Sequence, residues 1–229
     1  MKRFYTKVAA VAGDGGWSVT LDGRPVKTPS SAPLVLPNAA LAAEVAAEWD
    51  AQTEKLDPST MPMTGFAYAA IDRIAADSAG FAAGLARFAE TELLCYRAET
   101  PGPLVSRQAA GWDPLLSWAA ARYDVVFTVT TGIRHVAQPA ATLARIRAAY
   151  VAFDPFRLAA LNPVVTICGS AIIGLALAEG RIDAEAAFSA GQLDELWQAE
   201  QWGSDPLAVA SLENRRAAVD TAHRLLTIL

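Results

Sequence analysis

The chain has 229 residues, 53% of them hydrophobic, so it is long enough to bury a core as one large domain or two small ones. Its net charge of −5 and its pI near 5.1 argue against nucleic-acid binding, because phosphate backbones are met by clusters of Lys and Arg and no basic run occurs. The two cysteines, Cys95 and Cys168, lie far apart in apolar sequence. This apolar setting predicts that both thiols are buried, which suits a reducing compartment.

The first residues carry none of the usual targeting signals. Lys2 and Arg3 are followed directly by Phe4 and Tyr5, without an apolar segment, a cleavage site or a Ser/Arg-rich stretch. We therefore expect a cytoplasmic protein, or a protein of the mitochondrial matrix if the chain is a mature organellar form.

Residues 1–37 predict a small antiparallel β domain. Trp17, Val19 and Leu21 alternate with polar residues, as in a strand with one buried face. Glycine-rich turns flank this strand where hairpin connections need positive φ. Later prolines restrict pairing, so the remaining strands are expected to be short, on an edge, or both.

Residues 38–229 predict a larger, mainly helical domain. Asn38 is a good helix cap, and Leu41, Val45 and Trp49 follow it on one helical face. Together the two domains give an α+β fold. Further helices are predicted near residues 62–74, 79–97, 108–122, 140–152, 163–179, 184–202 and 206–228.

Two segments interrupt this helical pattern. Residues 125–130 are β-branched and aromatic, and they predict a short strand, or a hairpin with residues 133–136, near 124–136. Residues 158–178 are almost entirely apolar, but Pro163 leaves a run shorter than the roughly 17–25 residues of a membrane span. We predict a central core helix there and a protein that does not span a membrane.

Known catalytic patterns are absent from the sequence. It contains no phosphate-binding glycine loop, no GxSxG elbow and no HExxH motif. His135 and His223 are far apart and have no Cys, Asp or Glu nearby at ligand spacing, so we assign them structural or solvent-facing roles. We expect no catalytic residue, no metal and no cofactor.

Two residues have both a structural and a functional interpretation. Glu92 lies in an apolar stripe of helical spacing. If its carboxylate is buried it needs an ion-pair partner, and Arg73 and Arg97 are the candidates. The alternative is that Glu92 is a functional acid. Trp49 ends an apolar stripe and is interpreted as a core anchor whose indole N–H finds an acceptor. Partner binding is a further possibility for both residues.

Residues 193–203 place an acid and an indole on unexpected sides of a helix. Leu193 and Trp197 form an apolar arc with Leu196, and Glu200 falls in the middle of it. We predict that Glu200 is a buried, paired carboxylate, with partner binding as the alternative. The opposite face carries Asp194, Glu195, Gln198 and Trp202. Either the rest of the domain covers this face or it binds a partner, and the family resemblance described below leads us to predict partner binding.

A series of short segments, in order along nearly the whole chain, resembles the assembly chaperones of the F1 ATP synthase α subunit. Each segment is weak alone, whereas the order and spacing together are specific. The segments lie at residues 3–5 with 8, 21–29, 48–52, 61–64, 71–73, 93–98, 108 with 112–114, and 193–195 with 198 and 202–203.

This resemblance implies a chaperone and not an enzyme. Members bind the unassembled α subunit, shield its β-facing surface from aggregation and release it for α/β hexamer assembly, without ATP hydrolysis. The acid important in the family maps onto Asp194 or Glu195, and Trp49 is a family position that matters for folding. We expect the F1 α subunit as partner, no nucleic acid, and a monomer when the protein is free.

Two alternatives remain at this point. A small-molecule hydrolase or lyase would use a carboxylate pair such as Asp194 and Glu195 as acid and base. A structural homo-oligomer subunit would use the same surface for self-association.

Overall fold

The computed structural model describes residues 2–229 and confirms the α+β class, with a small antiparallel sheet followed by a mainly helical region. The chain divides into two compact units. The first comprises the chain up to Ser78 with Asp154–Ala160 and Arg224–Leu229, and the second comprises Ala79–Phe153 and Leu161–His223. The first helix after the sheet belongs to the first unit, so the predicted boundary between residues 37 and 38 separates the sheet from the helices and not one unit from the other.

The elements are as follows. The strands are β1 (Val8–Gly13), β2 (Gly16–Leu21), β3 (Arg24–Pro25), β4 (Val35–Leu36), β5 (Tyr96–Arg97) and β6 (Thr130–Thr131). The α-helices are α1 (Ala39–Asp50), α2 (Pro62–Ala69), α3 (Ser78–Ala86), α4 (Gly102–Tyr123), α5 (Ala140–Val151), α6 (Pro155–Cys168), α7 (Ala171–Ala178), α8 (Ala184–Gly191), α9 (Leu193–Trp202) and α10 (Pro206–Ile228).

In the first unit, β2 is the central strand of the sheet. It pairs antiparallel with β1, β3 and β4, with Leu21 opposite Val8 and Trp17 opposite Leu36. Val19 and Leu21 are buried, as the period-two alternation predicts. The tight turn from β2 to β3 uses Asp22 at φ 49° and Gly23 at φ 79°, the left-handed pair that matches the twist of a hairpin.

The Glu48 side chain connects α1 to the start of α2. Its carboxylate accepts hydrogen bonds from the backbone N–H groups of Met63 (2.6 Å) and Thr64 (2.8 Å) and from the Thr64 hydroxyl (2.8 Å). These N–H groups belong to the first turn of α2, where no intrahelical acceptor is available. A negative charge at this position also complements the helix dipole.

Trp49 is a core residue of the first unit. Only 8% of its surface is exposed, its ring centroid lies 5.8 Å from that of Tyr5, and the Tyr5 hydroxyl donates to its carbonyl at 2.6 Å. The expectation that the indole N–H finds an acceptor is wrong, because Nε1 is buried and has no hydrogen-bond partner within residues 2–229. Packing against the Tyr5 ring therefore anchors this side chain.

In the second unit, α7 forms the centre of the core, with every residue from Ala171 to Leu177 buried. The predicted single helix from 163 to 179 is wrong in its boundaries. Helix α6 runs through Pro163 and ends at Cys168, and the chain turns at Gly169, whose φ of 63° suits glycine. No helix within residues 2–229 combines the length and apolar character that a bilayer span requires.

Two further segments differ from the prediction. The expected helix over 184–202 is two helices, α8 and α9, separated at Gln192. The expected strand over 125–130 is reduced to β6, which pairs in parallel with β5 and forms no hairpin with residues 133–136. Thr128 instead forms two hydrogen bonds to the Gln138 side chain, at 2.8 and 3.0 Å, which take the place of strand pairing.

Replacing Glu48 with alanine is expected to destabilise the protein by about 1–2 kcal/mol, because the first turn of α2 loses its acceptor. Glu54→Ala is the matched control, since Glu54 is exposed and its side chain forms no hydrogen bond or ion pair within residues 2–229. Urea unfolding at pH 7 measures both variants. Equal unfolding free energies for the two variants would contradict the capping role.

Candidate partner-binding surface

The acidic start of α9 is fixed by contacts within the second unit. The Gln108 side chain of α4 donates from Nε2 to Asp194 Oδ1 at 2.8 Å. The Arg215 guanidinium of α10 contacts both Glu195 carboxylate oxygens, at 3.1 and 2.7 Å. Asp194 is half-buried and Glu195 is exposed. The two neighbouring acids therefore point to different helices, which does not suit a shared acid–base site.

The two remaining predicted binding residues lie at the exposed end of α9. Gln198 is exposed, and Trp202 has 79% of its surface exposed. Gly203 ends the helix with φ 77°, and Asp205 then caps α10 by accepting from the N–H groups of Leu207 and Ala208 at 2.8 and 3.0 Å. Trp202 thus stands on a well-defined corner between two helices.

Sequence analysis missed two exposed apolar residues in the first turn of α10. Leu207 is 84% exposed and Val209 is 42% exposed, and all residues from 201 to 211 are exposed. A spacing of two places Leu207 and Val209 on nearly opposite sides of a helix, so one buried stripe cannot cover both. That spacing is the signal that would have identified them. We call Trp202, Leu207 and Val209 the apolar corner.

A shallow depression of about 370 Å³ lies beside the apolar corner. Glu195, Gln198 and Trp202 line one side, and Leu212 and Arg215 of α10 line the other. The depression therefore brings three of the four predicted binding residues together. The fourth, Asp194, lies one helical turn before Gln198 on the same helix.

Glu200 is not the buried carboxylate that the helical pattern predicts. Its side chain is 50% exposed and forms an ion pair with Arg107 at 2.7 Å, and this hydrogen bond lowers the pKa of the Glu200 carboxyl. The Arg107 guanidinium also lies 4.8 Å from the centre of the Trp197 ring. The apolar arc of α9 is covered only at Leu193, and solvent reaches the arc further along the helix.

Glu92 is fully buried, but neither Arg73 nor Arg97 pairs with it. Its carboxylate accepts from the N–H groups of Leu94 (3.4 Å) and Ile172 (3.2 Å), and Ser170 adds a hydroxyl hydrogen bond. The donors at Ser170 and Ile172 stand at the start of α7, where backbone N–H groups lack intrahelical acceptors. Burial raises the pKa of Glu92 to about 7, although these hydrogen bonds oppose the shift.

The Arg97 guanidinium has other partners. It donates to the Leu94 carbonyl at 2.8 Å and forms an ion pair with Asp113 of α4 at 2.7 Å. His135 lies within hydrogen-bond distance of the Tyr96 hydroxyl, at 3.1 Å. Within residues 2–229, no group of three or more His, Cys, Asp and Glu side chains is arranged to hold a metal ion.

The family model of the ATP12 chaperone protein matches residues 2–120, just over half of the 229 residues. The chain belongs to the ATP12 chaperone family. It is 28% identical to the mitochondrial protein atp12 of Schizosaccharomyces pombe over 216 residues. This alignment covers 89% of this chain and 74% of that protein.

Solved structures extend this similarity to the whole chain. The crystal structure of Atp12 from Paracoccus denitrificans is 43% identical, with a TM-score of 0.94, over 99% of this chain and 97% of that one. The Atu1473 protein of Agrobacterium tumefaciens is 40% identical, with a TM-score of 0.91, over 98% of this chain and 84% of that one. The similarity therefore includes α9 and α10, which the ATP12 family model does not reach.

Membership of the ATP12 family confirms the predicted resemblance to F1 ATP synthase assembly chaperones. It also confirms that the chain is not an enzyme, because the family is one of assembly chaperones. The alternative of a hydrolase or lyase acting through a carboxylate pair is therefore wrong.

Glu92→Gln is expected to change how stability depends on pH. Because the folded-state pKa is raised from 4.5 to about 7, the folded protein binds more protons than the unfolded chain between these values, and stability falls as pH rises through that window. Glutamine cannot titrate, so the unfolding free energy of the wild type minus that of Glu92→Gln should decrease from pH 4.5 to 7 and then level off. Urea unfolding at closely spaced pH values measures this difference. A difference that stays constant from pH 5 to 8 would contradict the raised pKa.

Proposed function

We propose that this chaperone binds the unassembled α subunit of F1 ATP synthase, shields its β-facing surface and releases it for α/β hexamer assembly. The observation that carries the proposal is the exposure of Trp202, which lines a depression together with Glu195 and Gln198. Leu207 and Val209, the other residues of the apolar corner, are exposed in the first turn of α10. Membership of the ATP12 family supports an assembly role.

The apolar corner suits binding to another exposed apolar surface. Large apolar side chains that a folded monomer leaves in water often mark a surface that a partner covers. Trp202 is 79% exposed, so a partner that buried it would remove much apolar area from water. Indole side chains are also frequent among the residues that dominate binding energy.

The acids beside the corner suit a basic partner. Glu195 is already engaged by Arg215, whereas Asp194 Oδ2 accepts no hydrogen bond within residues 2–229. Acids at the edge of an interface mainly accelerate encounter and add little affinity. We infer that Asp194 and Glu195 attract basic α-subunit residues and that the apolar corner supplies most of the contact energy.

Release follows from competition between interfaces. The contact surface on α9 and α10 is small, whereas obligate subunit interfaces are larger and more apolar, so the β subunit can displace the chaperone without ATP hydrolysis. We further propose that the free protein is a monomer and that bacterial members act in the cytoplasm. Mature mitochondrial members would then act in the matrix.

The double variant Trp202→Ser, Leu207→Ser is expected to bind purified F1 α subunit at least about tenfold more weakly than wild type, because the apolar contact is lost. Its unfolding midpoint should be unchanged, since both side chains are exposed. Val126→Ser, Ile133→Ser is the matched control, because these side chains are also exposed, at 73% and 102%. Sedimentation velocity with labelled α subunit gives the dissociation constants.

Two results would reject this assignment. One is equal affinity of both double variants for the α subunit. The other is a wild-type protein that forms a homo-oligomer, together with a Trp202→Ser, Leu207→Ser variant that is monomeric. That result would make the apolar corner a self-association surface.

The double variant Asp194→Asn, Glu195→Gln is expected to associate several-fold more slowly with the α subunit at low ionic strength, and the difference should vanish near 0.5 M salt. Glu213→Gln, Asp220→Asn removes the same net charge from exposed positions outside the depression and serves as the control. Stopped-flow association over a salt series measures both. A loss of rate that is equal in the two double variants would show that net charge, not the acidic start of α9, controls encounter.

A further inference from the structure

A second, larger groove lies on the other flank of α9. It has a volume of about 690 Å³ and is formed by side chains of α4, α8 and α9 together with the segment that precedes α8. The residues used below are Arg107 and Ala110 of α4, Arg181, Ala186 of α8, and Leu196 and Glu200 of α9. We call it the α4–α9 groove.

The walls of the α4–α9 groove are helical faces. Residues 107, 110, 111 and 114 of α4 line it, with the spacing of one helical stripe, and residues 193, 196 and 200 line the α9 side. Seven residues of a helix span about 10 Å, so the groove is roughly two helical turns long. At its floor the two helices are close, because a Cβ at Gly111 would lie 3.3 Å from Leu193 Cδ1.

The charges in the groove are not balanced. Arg107 is neutralised by Glu200 at 2.7 Å, but the Arg181 side chain has no hydrogen-bond acceptor or carboxylate partner within residues 2–229. The groove therefore presents one uncompensated guanidinium, in a protein whose net charge is −5. A carboxylate is the group that complements this guanidinium, and the apolar walls complement apolar side chains.

We propose that the α4–α9 groove binds an amphipathic helical segment of the F1 α subunit, with apolar side chains in the groove and an Asp or Glu against Arg181. This inference rests on the proposed function, because it assigns a second contact to the same partner. A groove with apolar helical walls and one positive charge matches the way in which short amphipathic helices bind, through side chains one turn apart. A small anionic ligand is the competing occupant, and in that case the groove variants described below would bind the α subunit as wild type does.

The test fills the groove without disturbing the core. Ala110 and Ala120 are both exposed alanines of α4, but only Ala110 lines the groove. Ala110→Trp is expected to weaken binding to the α subunit at least tenfold, whereas Ala120→Trp should bind as wild type does. Ala186→Trp fills the groove from α8 and should repeat the loss seen with Ala110→Trp, with an unchanged unfolding midpoint.

A charge exchange identifies the occupant. A photo-crosslinking amino acid at position 186, followed by mass spectrometry, is expected to label a helical α-subunit segment that contains an acid. Arg181→Glu should weaken binding at least fivefold, and replacing that acid with lysine in the α subunit should restore it. Arg134→Glu, a reversal at an exposed arginine outside the groove, is the control.

Each outcome decides the inference. In one outcome, wild type binds the α subunit, the double variant Trp202→Ser, Leu207→Ser binds it more weakly, and Ala110→Trp and Ala186→Trp bind it as wild type does. The α4–α9 groove is then not a contact, and the proposed function stands. If wild type forms no complex with the α subunit, both proposals are overturned. Restoration of binding by the charge exchange supports the helical occupant, and failure to restore it, or absence of a crosslinked segment, overturns it.

Discussion

Helix α9 buries only one of its ten side chains, Leu193, so polar contacts along its length hold it in place. Gln108 binds Asp194, Arg107 binds Glu200 and Arg215 binds Glu195, which connects α9 to α4 on one side and to α10 on the other. Exposed ion pairs contribute little each, about 0–1 kcal/mol. The helix is therefore positioned by several weak restraints, and the depression and the α4–α9 groove on its two flanks both depend on them.

The starts of α2 and α7 are held differently. Glu48 and Glu92 each place a carboxylate at the start of a helix, where free N–H groups donate to it. Glu92 is fully buried and has no cation beside it, so only hydrogen bonds offset the cost of desolvating its carboxylate. They offset part of that cost, and the remaining part raises the pKa of Glu92. Glu48 and Glu92 thus organise helix starts within the two units.

The sequence pattern predicts local structure well where it allows few conformations. The alternation around Val19 and the start of α10 at Pro206 are examples, because a two-residue period and a proline after a capping Asp each allow few conformations. It fails for Glu200, because a helical wheel shows which residues share a face but not whether another element covers that face. It fails at Gln192 for a related reason. The end of α8 comes so close to Cys168 that a Cβ at Gly191 would lie 2.6 Å from its Sγ, a tertiary constraint that the sequence of α8 does not encode locally.

The position of α9 between two surfaces has a consequence for release. In the proposed arrangement, the apolar corner and the α4–α9 groove are two contacts on the two flanks of α9, so binding at one raises the effective concentration at the other. Such a pair binds tightly while both contacts are made and weakly when one is lost. A β subunit would then need to displace only one contact to weaken the complex as a whole, which permits release without a nucleotide-driven step. The weak restraints on α9 favour the same result, because a shift of this helix alters both contacts together.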